Sequence, residues 1–124
     1  MIAGMGIDLV AVDRIGNLRK RHGERFLQKV FTSAEVEDCL SRGAPDQGLA
    51  ARFAAKEAAM KALGTGFAEG VSWRDIEVES AGGRPVLKLK GKAAHLAGLM
   101  GAKIFLVSLT HEKEYAAAVV VLES

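Results

Sequence analysis

The sequence has a single cysteine, Cys39, among its 124 residues, so an internal disulfide framework is excluded. It has no apolar run long enough to span a membrane and no basic, hydrophobic leader after Met1. It also contains no internal repeat and no low-complexity linker. These absences favour one compact domain over residues 1–124, and we expect that domain in the reducing cytoplasm.

The net charge of the chain is close to zero. There are 17 Lys and Arg residues against 15 Asp and Glu residues, which gives a formal charge of +2. This balance gives no support for nucleic-acid binding. Hydrophobic residues make up 49% of the chain and charged residues 26%, values that are ordinary for a folded globular protein and exclude a disordered one.

Hydrophobic periodicity predicts helices and strands mixed along the chain. The predicted elements are a strand at 2–12, a helix at 14–30, a short helix from 32, a long helix from 46 to about 63, a hairpin at 76–79 and 86–90, a helix at 92–100 and strands at 103–110 and 115–122. Because short connections favour antiparallel pairing, we expect an α+β fold in which helices pack on a mostly antiparallel sheet.

Local signals predict where three of the helices begin or end. Thr32 followed by Glu35 matches a capping box, the usual start of a helix. Asp46 is a candidate N-cap for the long helix. Gly64 is the natural stop for the same helix, because glycine readily adopts the left-handed conformation that ends helices.

Asp8 lies in the first predicted strand, where aspartate is unusual. Strand alternation puts it on one face with Gly4 and Gly6, and we expect the opposite face to pack on the core. That opposite face consists of Met5, Ile7 and Leu9. Asp8 would then lie on a face with room for a ligand near the glycines. The alternative is a structural carboxylate that caps a helix or pairs with an arginine.

Glu57 falls within an apolar row of the long predicted helix, between Phe53 and Met60. A carboxylate in such a row must be paired, protonated or bound to a cation, because an isolated buried charge is too costly. Lys61 is four residues further on and is one candidate partner. A bound cation is the other interpretation.

Asp8 and Glu57 together predict a site for a hard cation. Magnesium prefers oxygen ligands and needs only one or two protein carboxylates when a substrate supplies phosphate oxygens. The three histidines are scattered and Cys39 stands alone, so a softer metal is disfavoured. The turn Gly64-Thr65-Gly66 can bring backbone N–H groups near a phosphate. This combination indicates phosphoryl chemistry on a magnesium-bound substrate.

The segment from 14 to 29 is strongly basic, with six Lys or Arg residues and one acid. Helical spacing puts Arg14, Leu18, Arg21 and Arg25 on one face. The charges suit an acidic protein partner, with Leu18 as an apolar anchor. A plain solvated face is the alternative. The low total charge and the lack of an interleaved aromatic platform or a recognised binding motif disfavour a nucleic acid.

Two segments resemble the signatures of the holo-acyl-carrier-protein synthases, a family of 4′-phosphopantetheinyl transferases. The first is Gly-Ile-Asp-Leu-Val at residues 6–10, followed by Arg14 and Ile15. The second, longer and more specific, runs from 52 to 66. The spacing of Phe31 and Glu35 and the segments at 108–111 and 115–118 are also similar to the family's. The sequence departs from the family pattern at Ala11, where many members carry an acid, and in a short segment at 40–48.

The resemblance implies a fold and a reaction. The fold is the single domain of the 4′-phosphopantetheinyl transferases. The reaction moves the 4′-phosphopantetheine group of coenzyme A to a serine of apo-acyl carrier protein, in fatty acid biosynthesis, and releases 3′,5′-ADP. Asp8 and Glu57 would hold Mg²⁺ on the pyrophosphate, and Lys61 would neutralise phosphate charge. Glu57 or a metal-bound water would take the serine proton, and the sequence does not choose between them.

The resemblance also implies binding residues and an assembly. Nucleotide or phosphate contacts are expected from Arg52, Lys61, Gly64, Thr65, Gly66, Pro85 and His111. The basic face of Arg14, Leu18, Arg21 and Arg25 would meet the acyl carrier protein, which is strongly acidic. The family implies a homotrimer with active sites at the subunit interfaces.

Two other interpretations use the same residues. A magnesium-dependent nucleotide pyrophosphatase would use the same acid pair with water as the acceptor. A non-catalytic module would bind an acidic protein or a nucleic acid through the basic helix, and its carboxylates would be structural. The length of the second signature favours the transferase over both.

Overall fold

The computed structural model of the chain describes residues 1–64 and 70–124. The elements, in chain order, are β1 (Ile2–Ala11), α1 (Val12–His22), α2 (Glu24–Val30), α3 (Ser33–Leu40), α4 (Pro45–Ala62), β2 (Ile76–Ala81), β3 (Arg84–Leu89), α5 (Gly91–Leu99), β4 (Ile104–His111) and β5 (Tyr115–Glu123). A short 3₁₀ helix, Trp73–Asp75, precedes β2. No helix within the described ranges has both the length and the apolar character of a membrane span.

The strands form two antiparallel sheets. One sheet has three strands in the order β1-β5-β4, and the other is the hairpin of β2 and β3. Helix α4 contacts all three strands of the larger sheet and also reaches β2. The predicted α+β class, the hairpin and the two C-terminal strands are confirmed.

Helix α4 is rich in alanine and almost entirely buried, and strand β1 packs directly against it. Two glycines of the strand make this possible. A Cβ atom added to Gly4 would lie 2.2 Å from the carbonyl oxygen of Ala62, and one added to Gly6 would lie 2.1 Å from that of Ala58. Backbone therefore packs on backbone, and any larger residue at either glycine would push the strand away from the helix.

The prediction that Met5, Ile7 and Leu9 face the core is wrong. Their exposed fractions are 61%, 68% and 66%. The face of Gly4, Gly6 and Asp8 is the one that meets α4. A row of glycines has no side chains to bury, so it looks like an open face in the sequence. It is instead the face that allows the closest packing.

The single basic helix predicted at 14–30 is two helices. Gly23 has φ +53°, outside the helical range, and it ends α1 with its N–H bound to the carbonyl oxygen of Arg19. Helix α2 starts at Glu24. The helical spacing that linked Arg21 to Arg25 therefore does not hold across the break.

The predictions of where helices begin or end were right in two of three cases. Thr32 and Glu35 form the capping box of α3, with reciprocal hydrogen bonds of 2.9 and 3.3 Å. Gly64 follows the end of α4 with φ +73°. Asp46 is not an N-cap: Pro45 opens α4, and Asp46 lies in the first turn and accepts a 2.8 Å hydrogen bond from Arg19.

A buried ion pair joins α3 to α4, and no local pattern in the sequence predicted it. Lys56 Nζ lies 2.8 Å from a carboxylate oxygen of Glu35, and neither side chain is exposed. Burial lowers the pKa of Lys56, and the Glu35 charge opposes that shift. Lys56 also donates to the carbonyl oxygens of Trp73 and Ile76, while Glu35 accepts from the Val78 N–H. The pair therefore ties both helices to β2.

Candidate active site

Asp8 and Lys61 meet where β1 crosses the last turns of α4. Lys61 Nζ lies 3.1 Å from Asp8 Oδ1 and donates a 3.0 Å hydrogen bond to the carbonyl oxygen of Ile7. The Asp8 side chain is 15% exposed and that of Lys61 is 56% exposed. Gly6 permits this meeting, because a Cβ at Gly6 would stand 2.9 Å from Lys61 Cβ. The site is thus a direct product of the backbone packing described above.

Glu57 lies close enough to Asp8 and Lys61 for their charges to shift its pKa. Partial burial raises the pKa of Glu57, and the nearby Asp8 charge raises it further, while Arg14 and Lys61 act in the opposite direction. No ion pair joins Glu57 to Lys61 in the described part of the chain, since the lysine binds Asp8 instead. The structure therefore joins Asp8 to Lys61 directly and places Glu57 within reach of their charges and of the charge of Arg14.

The donor chemistry of Asp8 and Glu57 fits magnesium. Both offer carboxylate oxygens, which hard cations prefer, and substrate phosphates or water would complete the coordination. Within residues 1–64 and 70–124, no group of three or more His, Cys, Asp or Glu side chains suits a metal ion. A closed zinc-type cage is therefore not part of the described structure, whereas a two-carboxylate site open to a phosphate ligand is compatible with it.

A cleft of ≈ 470 Å³ opens beside this site, between the basic helices and α4. Among the residues that line it are Arg14, Leu18, Arg25, Lys29, Phe53 and Trp73. The Arg14 guanidinium lies over the Phe53 ring, 5.3 Å from its centroid, and Phe53 stacks on Trp73 at 4.9 Å. The cleft therefore combines an aromatic floor with a positively charged rim.

Three of the four residues predicted to bind the carrier protein line this cleft, and Arg21 does not. Arg21 is exposed on α1, close to the break at Gly23. Lys29 and Trp73 line the cleft but were missed from the sequence. Trp73 is more than 40 positions away from the basic segment, so no local spacing could have linked them.

A second cavity, of ≈ 420 Å³, lies on the other side of α4 near the hairpin and β4. It brings together Arg52, Pro85 and His111, three of the predicted nucleotide contacts. Arg52 is only 5% exposed, and His111 Nδ1 lies 3.0 Å from Gln47 Oε1. Arg42 also lines the cavity and was not predicted from the sequence.

The other predicted nucleotide contacts lie apart from this cavity. Lys61 belongs to the Asp8 site, and Gly64 follows it at the end of α4. Thr65 and Gly66 lie outside the described residues. Asp8 is on β1 and His111 is on β4, which are the two edge strands with β5 between them. Within one chain the predicted nucleotide contacts therefore form two groups on opposite edges of the sheet.

Comparison with known proteins identifies the family. The model of the 4′-phosphopantetheinyl transferase superfamily matches residues 4–120. The chain is 48% identical over 124 residues to the holo-acyl-carrier-protein synthase of Koribacter versatilis, covering 99% of each chain. The chain belongs to the holo-acyl-carrier-protein synthase family. The predicted family and enzyme class are confirmed.

Solved structures of holo-acyl-carrier-protein synthases have the same fold. The crystal structure of the Neisseria meningitidis synthase matches with a TM-score of 0.89 and 34% identity, over 100% of both chains. The Bacillus anthracis synthase, in complex with CoA (3′,5′-ADP), matches with a TM-score of 0.82 and 35% identity, over 100% of this chain and 98% of that one. The predicted phosphopantetheinyl transferase-like fold is therefore confirmed.

Proposed function

We propose that this synthase transfers the 4′-phosphopantetheine group of coenzyme A to a serine of apo-acyl carrier protein and releases 3′,5′-ADP. The observation that carries the proposal is the cluster of Asp8, Glu57 and Lys61 in a chain of this family. Two carboxylates and an ammonium suit a pyrophosphate, because the carboxylates can hold a cation and the ammonium can neutralise phosphate charge.

Asp8 and Glu57 would hold a magnesium ion against the pyrophosphate. When bound, magnesium neutralises phosphate oxygens and makes the phosphorus more electrophilic. Lys61 holds one oxygen of Asp8 at 3.1 Å. Glu57 is on α4. The two carboxylates repel each other, and a bound cation would relieve that repulsion.

The reaction itself is a displacement at phosphorus. The serine hydroxyl of the carrier protein attacks the phosphorus that bears the pantetheine arm, and the bond to the oxygen of 3′,5′-ADP breaks. Lys61 offsets negative charge on the leaving phosphate. We propose Glu57 as the acceptor of the serine proton, since burial and the Asp8 charge raise its pKa. No nucleophile from this chain is required.

The cleft between the basic helices and α4 would receive the acyl carrier protein. Arg14, Arg25 and Lys29 supply positive charge at its rim, and Phe53 and Trp73 supply an aromatic floor. An acidic helix would be attracted by the rim and held by apolar contact with the floor. Arg14 lines the cleft and its charge also acts on Glu57, so a protein bound here would approach that carboxylate.

We propose that the chain works as a homotrimer. The face of the larger sheet turned away from α4 is apolar and exposed. On β1 it presents Met5, Ile7 and Leu9, and on β4 Ile104 and Leu106 are 47% and 49% exposed. The register makes this face continuous, because Val121 of β5 pairs with Met5 on one side and with Leu106 on the other. Apolar surface of this kind marks a subunit interface.

A homotrimer also explains why the predicted nucleotide contacts form two groups. The group of Arg52 and His111 lies toward one edge of the sheet, and Asp8 lies on the other edge strand. In the assembly, coenzyme A held by the first group of one copy would reach the carboxylates of the next copy. Light scattering that gives three chains per particle supports this arrangement, and a monomer that is fully active contradicts it.

We place the reaction in the cytoplasm, within fatty acid biosynthesis. Cys39 is a free thiol that is completely buried, in keeping with a reducing compartment. The acceptor proposed for this role is the acyl carrier protein of fatty acid synthesis.

The coupling of 3′,5′-ADP release to the carrier protein tests the proposed function. The protein is incubated with coenzyme A and Mg²⁺, with and without apo-acyl carrier protein, and the released nucleotide is measured by chromatography. We expect release only with the carrier protein, in a one-to-one ratio with the holo form. Release without carrier protein would instead indicate the pyrophosphatase, and no release under either condition would favour a binding module.

A further inference from the structure

Lys56 is a charged side chain that is completely buried in the core. An ammonium group has three N–H donors, and Lys56 Nζ has three acceptors: a carboxylate oxygen of Glu35 and the carbonyl oxygens of Trp73 and Ile76. Two of these acceptors belong to the backbone. One lies in the first residue of the short 3₁₀ helix Trp73–Asp75, and the other lies in the residue that follows it. Lys56 therefore holds this short helix at both ends.

Stability alone gives little reason for a lysine at this position. Removing a charged pair from water costs much of what the attraction returns, so an apolar pair of similar volume is often at least as stable. An apolar side chain could fill the space but could not bind two carbonyl oxygens. The property that only the lysine supplies is the attachment of the backbone at Trp73 and Ile76 to α4.

The backbone that Lys56 holds carries part of the aromatic floor of the cleft between the basic helices and α4. The Trp73 ring stacks on Phe53, with 4.9 Å between the ring centroids and 28° between the ring planes. Both rings line the cleft. Phe53 comes three residues before Lys56, so the two side chains leave α4 on the same side. One helix thus supplies one ring of the stack and the anchor for the segment that carries the other.

The remaining bonds of the short helix shape it without attaching it to α4. Ser72 and Asp75 form a capping box around it, with hydrogen bonds of 3.1 and 3.4 Å. The Lys90 N–H donates a 2.9 Å or shorter bond, at 2.8 Å, to the carbonyl oxygen of Asp75 and joins the helix to the hairpin. The bonds from Lys56 are of a different kind, because they link this segment to the helix that carries Phe53.

We infer that Lys56 is a positioning residue for the carrier protein: by binding the backbone at Trp73 and Ile76, it sets the Trp73 ring against Phe53 as the floor of the docking cleft. This inference rests on the proposed function for the identity of the protein that docks. It gives the buried lysine a role in substrate use that is separate from its ion pair with Glu35.

The first test compares the loss of Lys56 with the loss of its ion pair. Lys56→Met keeps the length of the side chain and removes all three donors. We expect KM for the carrier protein to rise about tenfold, because a misplaced aromatic anchor weakens an interface, while KM for coenzyme A stays the same. Glu35→Gln is the matched control, since it removes the charge of the pair and leaves Lys56 its two carbonyl acceptors. Equal rises in both variants would overturn the inference.

A double-mutant cycle tests whether Lys56 acts through Trp73. Trp73→Ala should itself raise KM for the carrier protein. Lys56→Met should then raise it no further in the Trp73→Ala background, because the ring that the lysine positions is already gone. Effects that multiply in the double variant would mean that Lys56 acts independently of the ring, and would overturn the inference.

Two further variants separate positioning from a general loss of stability. Leu122→Ala removes a fully buried side chain of β5 that does not line the cleft, so it should lower the stability and leave KM for the carrier protein unchanged. The same rise in KM with Leu122→Ala would overturn the inference. If Lys56→Met alone does not fold, Lys56→Met combined with Glu35→Gln replaces it and is compared with Glu35→Gln, because this variant leaves no unpaired buried charge.

Tryptophan fluorescence separates this inference from the proposed function. Trp73 is the only tryptophan in the chain, so its emission reports on the cleft floor without carrier protein or coenzyme A. In Lys56→Met we expect emission at longer wavelength and stronger quenching by acrylamide, with Glu35→Gln close to wild type. This result supports the positioning role even if no carrier protein is modified. A wild-type spectrum and wild-type quenching in Lys56→Met overturn it even if transfer occurs.

Discussion

Gly6 and Ala58 pack backbone against backbone, with only 2.1 Å between the carbonyl oxygen of Ala58 and the position that a Cβ on Gly6 would take. This contact sets the distance between β1 and α4. Asp8 comes two residues after Gly6, and Glu57 immediately precedes Ala58. The glycine therefore fixes how close the two carboxylates come.

Gly6→Ala should disrupt the fold and the active site together. The added methyl group cannot fit, so the strand must move away from the helix. We expect a loss of about 1–3 kcal/mol in the free energy of unfolding, measured in urea, and a transferase activity reduced more than the stability loss explains. Gly98→Ala is the control, because in the described part of the chain no atom outside the surrounding turn of helix lies within 4 Å of the position that a Cβ would take there, and alanine favours the helix. Full activity in Gly6→Ala would refute the role given to this contact.

Asp8→Asn and Glu57→Gln should each abolish transfer while the protein stays folded. Each substitution removes one negative charge from the proposed magnesium site and keeps the shape of the side chain. We expect at least a hundredfold loss in kcat/KM, in line with about 3 kcal/mol of lost transition-state stabilisation. The exposed Glu37→Gln, on α3, serves as a control for a neutralised carboxylate. Wild-type rates in either site variant would contradict the metal assignment.

Arg25→Glu should impair use of the carrier protein more than Arg21→Glu. Both residues are exposed and both substitutions change the charge equally, but only Arg25 lines the cleft. A reversed charge at a protein interface weakens association with an acidic partner. We expect KM for the carrier protein to rise roughly tenfold with Arg25→Glu and less with Arg21→Glu, while KM for coenzyme A stays the same. Equal increases in KM for the carrier protein would contradict the docking cleft, because binding would then depend only on the total charge of α1 and α2.

Ionisation of Cys39 should lower the free energy of unfolding as the pH rises from 9 to 11. Burial raises the pKa of the Cys39 thiol from 9.0 to about 11, with a smaller opposing effect from Arg52. The unfolded chain then loses the thiol proton first, so the free energy of unfolding falls between these two pH values. The full difference corresponds to about 3 kcal/mol. Chemical denaturation of the wild type and of Cys39→Ala over this range checks it: the steeper decline should belong to the wild type, and parallel curves would contradict the prediction.

Signals between near neighbours in the sequence predicted much of the fold. The capping box of Thr32 and Glu35 and the helix stop at Gly64 depend only on the adjacent backbone, and both were found. The sequence also singled out Asp8 and Glu57, because a carboxylate in a strand and one in an apolar helical row each need a reason, and their role as a metal site stays a prediction. Arrangements that depend on distant parts of the chain were not predictable in this way.

The wrong predictions have physical causes in tertiary packing. The buried and exposed faces of β1 were predicted the wrong way round, because a row of glycines buries backbone instead of side chains. The break at Gly23 was missed because one glycine within a periodic segment is often tolerated in a helix. The Glu35–Lys56 pair joins residues that have no periodic relationship, so only the folded chain reveals it.

The intact mass of an apo-acyl carrier protein, measured after incubation with this protein and coenzyme A, shows whether the proposed transfer occurs. With Mg²⁺ we expect a gain of one phosphopantetheinyl group, about 340 Da from its covalent formula, and no gain when EDTA replaces the metal. An unchanged mass with a well-folded carrier protein and Mg²⁺ would contradict the proposed transfer. A gain that persists in EDTA would contradict the role given to magnesium at Asp8 and Glu57.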